Sequence, residues 1–371
     1  MNRIAASLAW GAMFLLSCGH QERPAAAKSP TPATDVRQAA ERGVAFLAAS
    51  QQADGSFPTG IDRSFKRDYF RLGVNTFSAL ALMSADGDYA DHVRKSVRFA
   101  LENMSDDGYV VYRDSNRRAP YFEHAMGLLL LGEYLLRYPQ GEEDLRRRVR
   151  EKLEKGVQWT IAAQRENGGW PYRDKGQIVE AIGTALQLEA LRSARDAGIR
   201  IPDQIFRNGI ALIKGQAEES GGFRCKTTDP AGRTAYEGST YPIALLEAVG
   251  ESQSPEAVRG IVYLRETKNV EEQLKWFPED PENPVWLKGG LQLTCLWTTM
   301  LAFRRAPKEE WQGEWFRKVH RKLVESQSAD GSWPGLYGPV YGTSIGMLLL
   351  NIEKEDFHWF NVSGDDRSAP R

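Results

Sequence analysis

The sequence predicts an all-α protein, an (α/α)6 toroid in which six helical hairpins form an outer and an inner ring of helices. Three observations lead to this fold class. A short glycine-aromatic motif returns at near-constant spacing, a charged amphipathic stretch precedes each copy, and a more apolar stretch rich in small residues follows it. Such periodicity is typical of repeat architectures, in which each unit buries its apolar face against its neighbours.

The first 34 residues are predicted to be a targeting signal and a flexible tether rather than part of the fold. An apolar stretch from Ile4 to Leu16 has the length of a signal-peptide core and is too short to span a bilayer. It runs into Leu15-Leu16-Ser17-Cys18, which resembles the bacterial lipobox and implies cleavage before Cys18 and lipid attachment there. We therefore expect a lipoprotein signal peptide over residues 1–18 and a flexible Pro-, Ala- and Ser-rich tether over 19–34. The protein would be anchored to a membrane of the bacterial cell envelope, on the periplasmic or outer-surface side.

The repeat motif has three clear copies that fit Q-x-x-x-G-x-[WF]-P. They begin at Gln51, Gln164 and Gln327. Looser copies lie at Gly108-Tyr109 and before Phe223, and a degenerate one is Trp276-Phe277-Pro278. The aromatic positions 57, 109, 170, 223, 277 and 333 are separated by 52 to 61 residues. Six units at this spacing place the toroid over residues 35–352 and leave 353–371 as a C-terminal tail.

Each unit is predicted to contain two helices, because apolar residues recur at helical spacing on both sides of the motif. The charged stretches are expected to form the outer helices, over residues 36–51, 91–104, 145–164, 202–216, 254–268 and 314–327. The apolar stretches are expected to form the enclosed inner helices, over residues 72–85, 121–136, 177–194, 236–250, 288–305 and 340–352. An open solenoid is the competing geometry, but it usually carries polar terminal caps, and neither end of this array resembles one.

Composition excludes several classes of protein. The 371 residues carry 48 Lys plus Arg against 49 Asp plus Glu, a formal net charge of -1 without a long basic run, so nucleic acid is not an expected partner. Three cysteines are too few for a disulfide scaffold, and Cys225 and Cys295 are expected to be free thiols. The five histidines show no spacing typical of metal ligands, so neither a metal nor another cofactor is predicted.

The motifs resemble the repeats shared by squalene cyclases and protein prenyltransferase β-subunits, the prenyltransferase/squalene oxidase repeat superfamily. The resemblance implies that Gln51, Gln164 and Gln327 bond backbone groups and tie outer-helix ends together. It implies that Phe57, Trp170 and Trp333 pack over these turns. Gly55, Gly168 and Gly331 are then expected to supply the positive φ that a tight turn requires.

The catalytic motifs of that superfamily are absent from this sequence. No Asp-x-Asp-Asp, the proton donor of squalene-hopene cyclases, occurs, and the nearest strings are Asp86-Gly-Asp88 and Asp106-Asp107. The stretches comparable to the prenyltransferase zinc ligands read Tyr236-Glu237-Gly238-Ser239-Thr240 and Tyr341-Gly342-Thr343, without Cys or His. The Gly-Cys-Gly-Glu-Gln of thioester toroids is also missing. These absences favour a binding protein over an enzyme.

Polar and aromatic residues are predicted to surround the central opening, where the turns lead into the inner helices and helix N-termini point their partial positive charge. Candidate ligand-cavity residues are Tyr121, Tyr172, Tyr236, Tyr241, Trp286, Tyr337 and Tyr341. Weak catalytic candidates are Glu123, His124, Glu180, Glu237, Arg173 and Asp174. Glu123 and His124 form the sharpest pair, because an enclosed histidine beside an acid can act as a general base, although a core histidine is the competing interpretation.

Three functions stay open at this stage. The first is a lipid-anchored toroid that binds a small molecule, a glycan or a protein in its central cavity. The second is a polysaccharide lyase or glycoside hydrolase, since (α/α) toroids also house such enzymes and Asn167-Gly168-Gly169-Trp170-Pro171 is similar to a string in some pectate lyases. The third is a divergent terpenoid cyclase or prenyltransferase with a relocated acid.

Overall fold

The computed structural model describes residues 35–60, 70–110, 112, 120–171, 178–232, 234–266, 286–335 and 337–362, with the side chains of residues 120 and 286–292 excepted. Within these residues it is helical, with isolated β-bridges and no strand. None of the helices in this part of the chain is both long and apolar enough to cross a bilayer.

In the described part of the chain, twelve α-helices in six outer-inner pairs confirm the predicted all-α toroid. The outer helices are α1 (Val36–Ser50), α3 (Ala90–Glu102), α5 (Glu143–Ala163), α7 (Asp203–Lys214), α9 (Pro255–Arg265) and α11 (Glu310–Ser326). The inner helices are α2 (Arg71–Ser84), α4 (Pro120–Arg137), α6 (Ala181–Asp196), α8 (Tyr236–Ala248), α10 (Trp286–Arg305) and α12 (Pro339–Leu350).

The two sets of helices differ in burial as their sequences predict. Every residue of α12 from Val340 to Leu350 is buried, whereas α5 buries only one stripe of its 21 residues. Two helix starts differ most from the expectation. Helix α6 begins at Ala181 rather than at 177, because Val179 and Glu180 are paired in β-bridges with Pro171 and Lys226. Helix α11 begins at Glu310, where a capping box between Glu309 and Gln312 satisfies its first N–H groups.

The inner helices form a closed ring. Each packs against the next along the chain, and α12 packs against α2, where Ser78 Oγ and Ser344 Oγ lie 2.9 Å apart. The outer ring closes as well, since Gln327 Nε2 donates to the carbonyl of Ala39 at 2.9 Å and Arg42 Nη2 donates to that of Ser328 at 2.9 Å. An open solenoid would leave its first and last repeats apart.

The repeat turns join neighbouring outer helices by one recurring geometry. Gln51 Nε2 donates to the carbonyl of Gly55 in its own turn at 3.0 Å and to that of His92 in the next outer helix at 2.9 Å. Gln164 and Gln327 do the same with Ile205 and Ala39 as the far partners. The turn glycines have φ between +84° and +95° at positions 55, 108, 168, 221 and 331, and Phe57, Trp170 and Trp333 are fully buried beside them.

The packed body extends beyond the predicted boundary at residue 352. Residues 353–362, the C-terminal plug, cross the C-terminal ends of the inner helices. Phe357, Trp359 and Phe360 in the plug are each at most 1% exposed. Within the described residues, the plug covers this end of the ring. The opposite end, where the inner helices begin, is here called the open end.

Candidate ligand site inside the inner ring

A ring of half-exposed apolar side chains marks the interior of the toroid. An inner helix has an outer helix behind it and an inner helix on either side, so a half-exposed side chain near its N-terminal end faces the central axis or the open end. Every inner helix has at least one such apolar or aromatic side chain within it or just before it, and α8 has a second in Tyr236. The apolar ring is defined here by six of them, one for each inner helix, namely Phe70, Phe122, Ile182, Tyr241, Leu293 and Tyr337. A concave wall of this composition is typical of sites for apolar ligands.

Phe70 holds a strained backbone conformation at the open end. Its φ of 62° is the one positive value at a non-glycine position among the described residues. Its ring lies against Tyr337, with centroids 5.1 Å apart, and it covers Gly73, where a Cβ would meet the Phe70 ring at 2.2 Å. A left-handed conformation costs a residue with a side chain on the order of 1 kcal/mol, and such strain is concentrated at binding sites.

Aromatic side chains continue from the apolar ring to the plug. Tyr341 contacts Tyr337 at 5.0 Å and Phe77 at 5.6 Å between centroids. Phe77 in turn lies 6.2 Å from Trp359 of the plug, which packs against Trp297 at 5.1 Å. Phe77 is 7% exposed and Trp359 1%, so this column of aromatic side chains ends in the buried Trp359, here called the floor.

A buried ionic cluster joins α6, α10 and the plug. Glu189 accepts hydrogen bonds from Arg192 at 2.8 Å and from Arg305 at 2.6 Å, and all three side chains are at most 1% exposed. Burial raises the pKa of Glu189, but the two guanidinium groups outweigh it and hold that pKa at about 2. Arg305 also donates to the carbonyls of Ala244 and Trp359, which fixes the plug to α8 and α10.

His358 fastens the plug to two other inner helices. Its Nδ1 lies 2.7 Å from Glu133 Oε1 on α4 and its Nε2 lies 2.9 Å from Asp196 Oδ2 on α6. Both carboxylates accept, so both ring nitrogens donate and the imidazole is cationic. Burial lowers the pKa of His358, but the charge on Glu133 and the hydrogen bonds to both acids raise it above its usual value.

His124, which the sequence predicts as a candidate general base beside Glu123, is buried between the helices. Both of its ring nitrogens take part in hydrogen bonds. The backbone N–H of Val110 donates to Nδ1 at 3.1 Å, and Nε2 lies 2.8 Å from Thr160 Oγ1. Burial lowers the pKa of His124 to about 3. In three other repeats a hydroxyl takes the Nδ1 position and accepts from the turn backbone, namely Thr184, Ser239 and Thr343. This arrangement explains His124 as a structural residue of its turn.

The carboxyl candidates have three different environments. Glu123 is 3% exposed and its Oε1 accepts from the backbone N–H of Leu72 at 3.3 Å, at the N-terminus of α2. Glu237 is exposed. Glu180 precedes α6 with 14% of its side chain exposed, and its carboxylate lies 4.0 Å from Lys226 Nζ. Burial raises the pKa of Glu180, and the charge of Lys226 opposes this shift.

The tyrosine candidates are distributed between the apolar ring and the helix layer. Tyr241 and Tyr337 belong to the apolar ring. Tyr236 is half-buried with its hydroxyl 2.7 Å from Thr299 Oγ1. Tyr341 is buried and bonds Thr294, and Tyr121 is buried with its ring 5.2 Å from Trp159. The candidates Tyr172, Arg173 and Asp174, the side chain of Trp286 and the motif at positions 276–278 lie outside the described residues.

The described residues contain two thiols, and their acids and histidines are dispersed. Groups of three or more His, Cys, Asp or Glu that could hold a metal ion do not occur in that part of the chain. Cys225 and Cys295 are free thiols, and burial raises their pKa to about 11 and about 12. Neither thiol has the lowered pKa of a nucleophilic cysteine.

Sequence reasoning missed four residues of the apolar ring and the whole ionic cluster. Phe70, Phe122, Ile182 and Leu293 carry no pattern that separates an axis-facing position from a core position within an apolar helix. The cluster did leave a signal. Glu189 and Arg192 stand one turn apart inside an apolar inner helix, where charges are expected only as a pair.

No family model matches the chain, and no curated protein does so either. Solved structures do match its fold. A protein from Actinoplanes aligns with a TM-score of 0.56 at 14% identity over 85% of this chain and 98% of that one. A type II terpene cyclase, MstE from Scytonema, aligns with a TM-score of 0.56 at 11% identity over 85% of this chain and 97% of that one. An unsaturated glucuronyl hydrolase specific for heparin gives 0.56 at 12% identity, over 85% and 95%. At such low identity the likeness shows the α/α toroid fold alone.

Proposed function

We propose that this protein binds a ligand with a long apolar body, such as an isoprenoid or another lipid chain, in the central cavity of the toroid. The observation that carries the proposal is the apolar ring, one half-exposed apolar side chain from each of six inner helices. The aromatic column from Tyr337 to Trp359 continues this surface to the floor. Displacement of water from such a surface by an apolar ligand contributes about 25 cal/mol of favourable free energy for each Å² of apolar surface buried.

At the open end of the ring, polar side chains are placed where they could contact the polar head group of such a ligand. Glu180, Lys226 and the exposed Glu237 stand near the starts of α6 and α8, where the inner helices begin. A ligand with an apolar tail and one polar group would place the tail toward Trp359 and the polar group toward these side chains. A ligand whose body is charged would find no hydrogen-bonding or ionic partner in the apolar ring. Burying such a charge is costly, so the apolar ring disfavours a charged ligand.

We also propose that the toroid works beside a membrane. Cleavage before Cys18 and lipid attachment there would leave the 16 residues 19–34 as a tether. A flexible chain of this length spans roughly 20 Å on average. A lipid-binding cavity held this close to a bilayer would exchange its ligand with the membrane over a short distance.

Calorimetric titration with geraniol, farnesol and geranylgeraniol tests the cavity. We expect saturable binding of one molecule per chain, with affinity that rises with chain length until the tail reaches the floor, because each buried CH2 contributes about 0.8 kcal/mol. Ile182→Asp places a charge in the apolar ring and should abolish binding while the thermal melt is retained. Val258→Asp makes the same change at a side chain that is 49% exposed on α9 and should leave binding intact.

Two results would contradict the proposal. Equal loss of binding in both variants would mean that the alcohols adsorb to the outer surface. Saturable binding of an oligogalacturonate without binding of any isoprenoid alcohol would mean that the cavity takes sugars. Recovery of unchanged farnesol separates binding from cyclisation, the alternative that the terpene cyclase neighbour raises and that the missing Asp-x-Asp-Asp argues against.

Glu180 favours one second candidate, a glycoside hydrolase. Its raised pKa and its place near the open end suit a general acid, and one solved neighbour is an unsaturated glucuronyl hydrolase specific for heparin. Incubation with unsaturated glucuronyl disaccharides would then remove the ultraviolet absorbance of the unsaturated sugar, and Glu180→Gln would abolish that change. An unchanged absorbance with the wild-type protein would reject this candidate.

A further inference from the structure

A second cleft opens at the other end of the molecule, away from the apolar ring. It lies where α8 and α10 end and beside the plug, with a volume of about 590 Å³. Its charged lining comes from three inner helices and one loop, through Arg195, Glu247, Arg304, Arg305 and Lys308. Here this surface is called the cationic cleft.

Three of the cations in the cationic cleft have no carboxylate partner among the described residues. Arg195 is held with its Cζ 4.3 Å from the centroid of the Phe206 ring, and Arg304 Nη2 donates to the amide oxygen of Asn361 at 3.1 Å. Lys308 is exposed. Some other surface arginines are paired with acids on a neighbouring element, as Arg98 is with Glu142 at 2.7 Å. Within the described part of the chain these three positive charges lack a neighbouring acid; they repel each other, and an anion in the cleft would offset that cost.

Arg305 does not add to this excess. It is 1% exposed, and Glu189 neutralises it at 2.6 Å. It forms the back wall of the cationic cleft.

Glu247 is the one acid among the described residues that line the cationic cleft, and its environment is unusual. It is 1% exposed, yet its Oε2 accepts no hydrogen bond from any described residue. An ionised carboxylate buried in this way would be costly. Burial raises the pKa of Glu247 to about 7, against the opposing charge of Arg305, so at pH 6 most molecules carry a proton on this carboxyl that it can donate.

From this arrangement we infer that the cationic cleft is a binding site for a tetrahedral oxyanion, a phosphate ester whose oxygens meet Arg195, Arg304 and Lys308 and accept a hydrogen bond from Glu247. Guanidinium groups pair with phosphate through two parallel hydrogen bonds. A tetrahedral dianion presents more charge and more acceptor oxygens to three cations than a carboxylate does. The C-terminal carbonyls of α8 and α10 weaken anion binding at this end, and the cations in their vicinity offset that effect.

Titration calorimetry with sodium sulfate at constant ionic strength tests the site. Sulfate is the probe because its charge does not change between pH 6 and pH 9. We expect saturable binding of one sulfate per chain at pH 6. Arg304→Ala should weaken it roughly tenfold or more, since hydrogen bonds to charged groups are lost. Lys308→Ala removes an exposed cation without disturbing the packing and should weaken it as well. Arg207→Ala removes an exposed cation on α7 that also has no carboxylate partner among the described residues and should leave the affinity unchanged.

Glu247 supplies an independent readout. Wild-type affinity for sulfate should fall between pH 6 and pH 9, as Glu247 loses its proton and faces the anion as a charge. Glu247→Gln keeps an N–H donor at both pH values and should hold the affinity constant. Competition by glycerol 3-phosphate indicates a soluble phosphate ester, and competition by the diester glycerophosphoglycerol indicates a lipid headgroup.

Three results would overturn the proposal. The first is the absence of saturable sulfate binding by the wild-type protein at pH 6. The second is an equal loss of affinity in Arg207→Ala and in Lys308→Ala, which would reduce the effect to net charge. The third is the same fall with pH in Glu247→Gln as in the wild type.

Discussion

The turn at Gly331 joins the last repeat to the first, and its substitution is the sharpest test of ring closure. Gly331 has φ of +89°, and a Cβ there would lie 2.7 Å from the carbonyl oxygen of Arg42 on α1. Gly331→Ala therefore meets two penalties, a left-handed backbone and a collision with the backbone of another repeat. The collision displaces the two hydrogen bonds that close the outer ring, from Gln327 to Ala39 and from Arg42 to Ser328.

The magnitude follows from these contacts. The left-handed conformation costs alanine about 1 to 2 kcal/mol. Each backbone-directed hydrogen bond that is weakened costs about 0.5 to 1.5 kcal/mol. Together they predict a loss of roughly 2 to 5 kcal/mol in the free energy of unfolding. Gly168→Ala should give a similar loss, since φ is +90° and a Cβ would meet the carbonyl oxygen of Asn208 at 2.3 Å.

Gly313→Ala is the matched control. Gly313 lies inside α11, and the nearest atom to an added Cβ is the end of the flexible Arg317 side chain, at 3.5 Å. Alanine in a helix interior is favoured over glycine by about 0.8 to 1.0 kcal/mol. Urea denaturation followed by far-ultraviolet circular dichroism should move the midpoint down for Gly331→Ala and up, or not at all, for Gly313→Ala. Equal shifts in the same direction would refute the role given to the Gly331 turn.

Three further predictions concern the plug, the anchor and the metal content. The raised pKa of His358 gives stability that is complete below the unfolded histidine pKa of about 6.5 and is lost as pH rises through the folded value. The wild-type protein should therefore lose more unfolding free energy between pH 6 and pH 9 than His358→Gln does, and parallel urea midpoints over that range would contradict the ion pairs with Glu133 and Asp196. Mature protein should begin at a lipidated Cys18 and partition into detergent, whereas Cys18→Ala should be soluble or unprocessed; mass spectrometry that finds an unmodified N-terminus elsewhere would reject the anchor. Purified protein should carry no stoichiometric zinc, and metal analysis that finds about one zinc per chain would overturn the interpretation of Glu237, Ser239 and Gly342.

The fold could be predicted because its signal is local and repeated. A glycine that must adopt positive φ, followed two residues later by a buried aromatic, marks each of the three clear turns, and alternating charged and apolar stretches assign the helices to two rings. The plug could not be predicted in the same way. Phe357, Trp359 and Phe360 belong to a short apolar segment without helical period, and such a segment gains its burial only from the ring that it closes.

Only part of the candidate site can be predicted from the sequence, because the direction in which an apolar residue of an inner helix points depends on packing. The sequence predicts Tyr241 and Tyr337 as cavity residues, because tyrosines near the starts of otherwise apolar inner helices stand out from their neighbours. Phe122 and Leu293 are apolar residues in apolar helices, and which of them faces the axis depends on helix rotation, which packing decides. His124 sits 14 residues after Val110, whereas Thr343 sits ten residues after Trp333, so the shared backbone contact of these two side chains is invisible until the fold aligns them.

Photo-crosslinking inside the ring is the most direct test of the central claim. Wild-type protein would be irradiated with a farnesol analogue that carries a benzophenone group, and the labelled peptides would be identified by mass spectrometry. Binding in the central cavity predicts labels on the inner helices, at Phe122, Ile182, Tyr241 or Leu293, and excess farnesol should suppress them. Labels confined to the outer helices, for example at the exposed Val258 and Val262 of α9, would contradict a ligand site within the toroid.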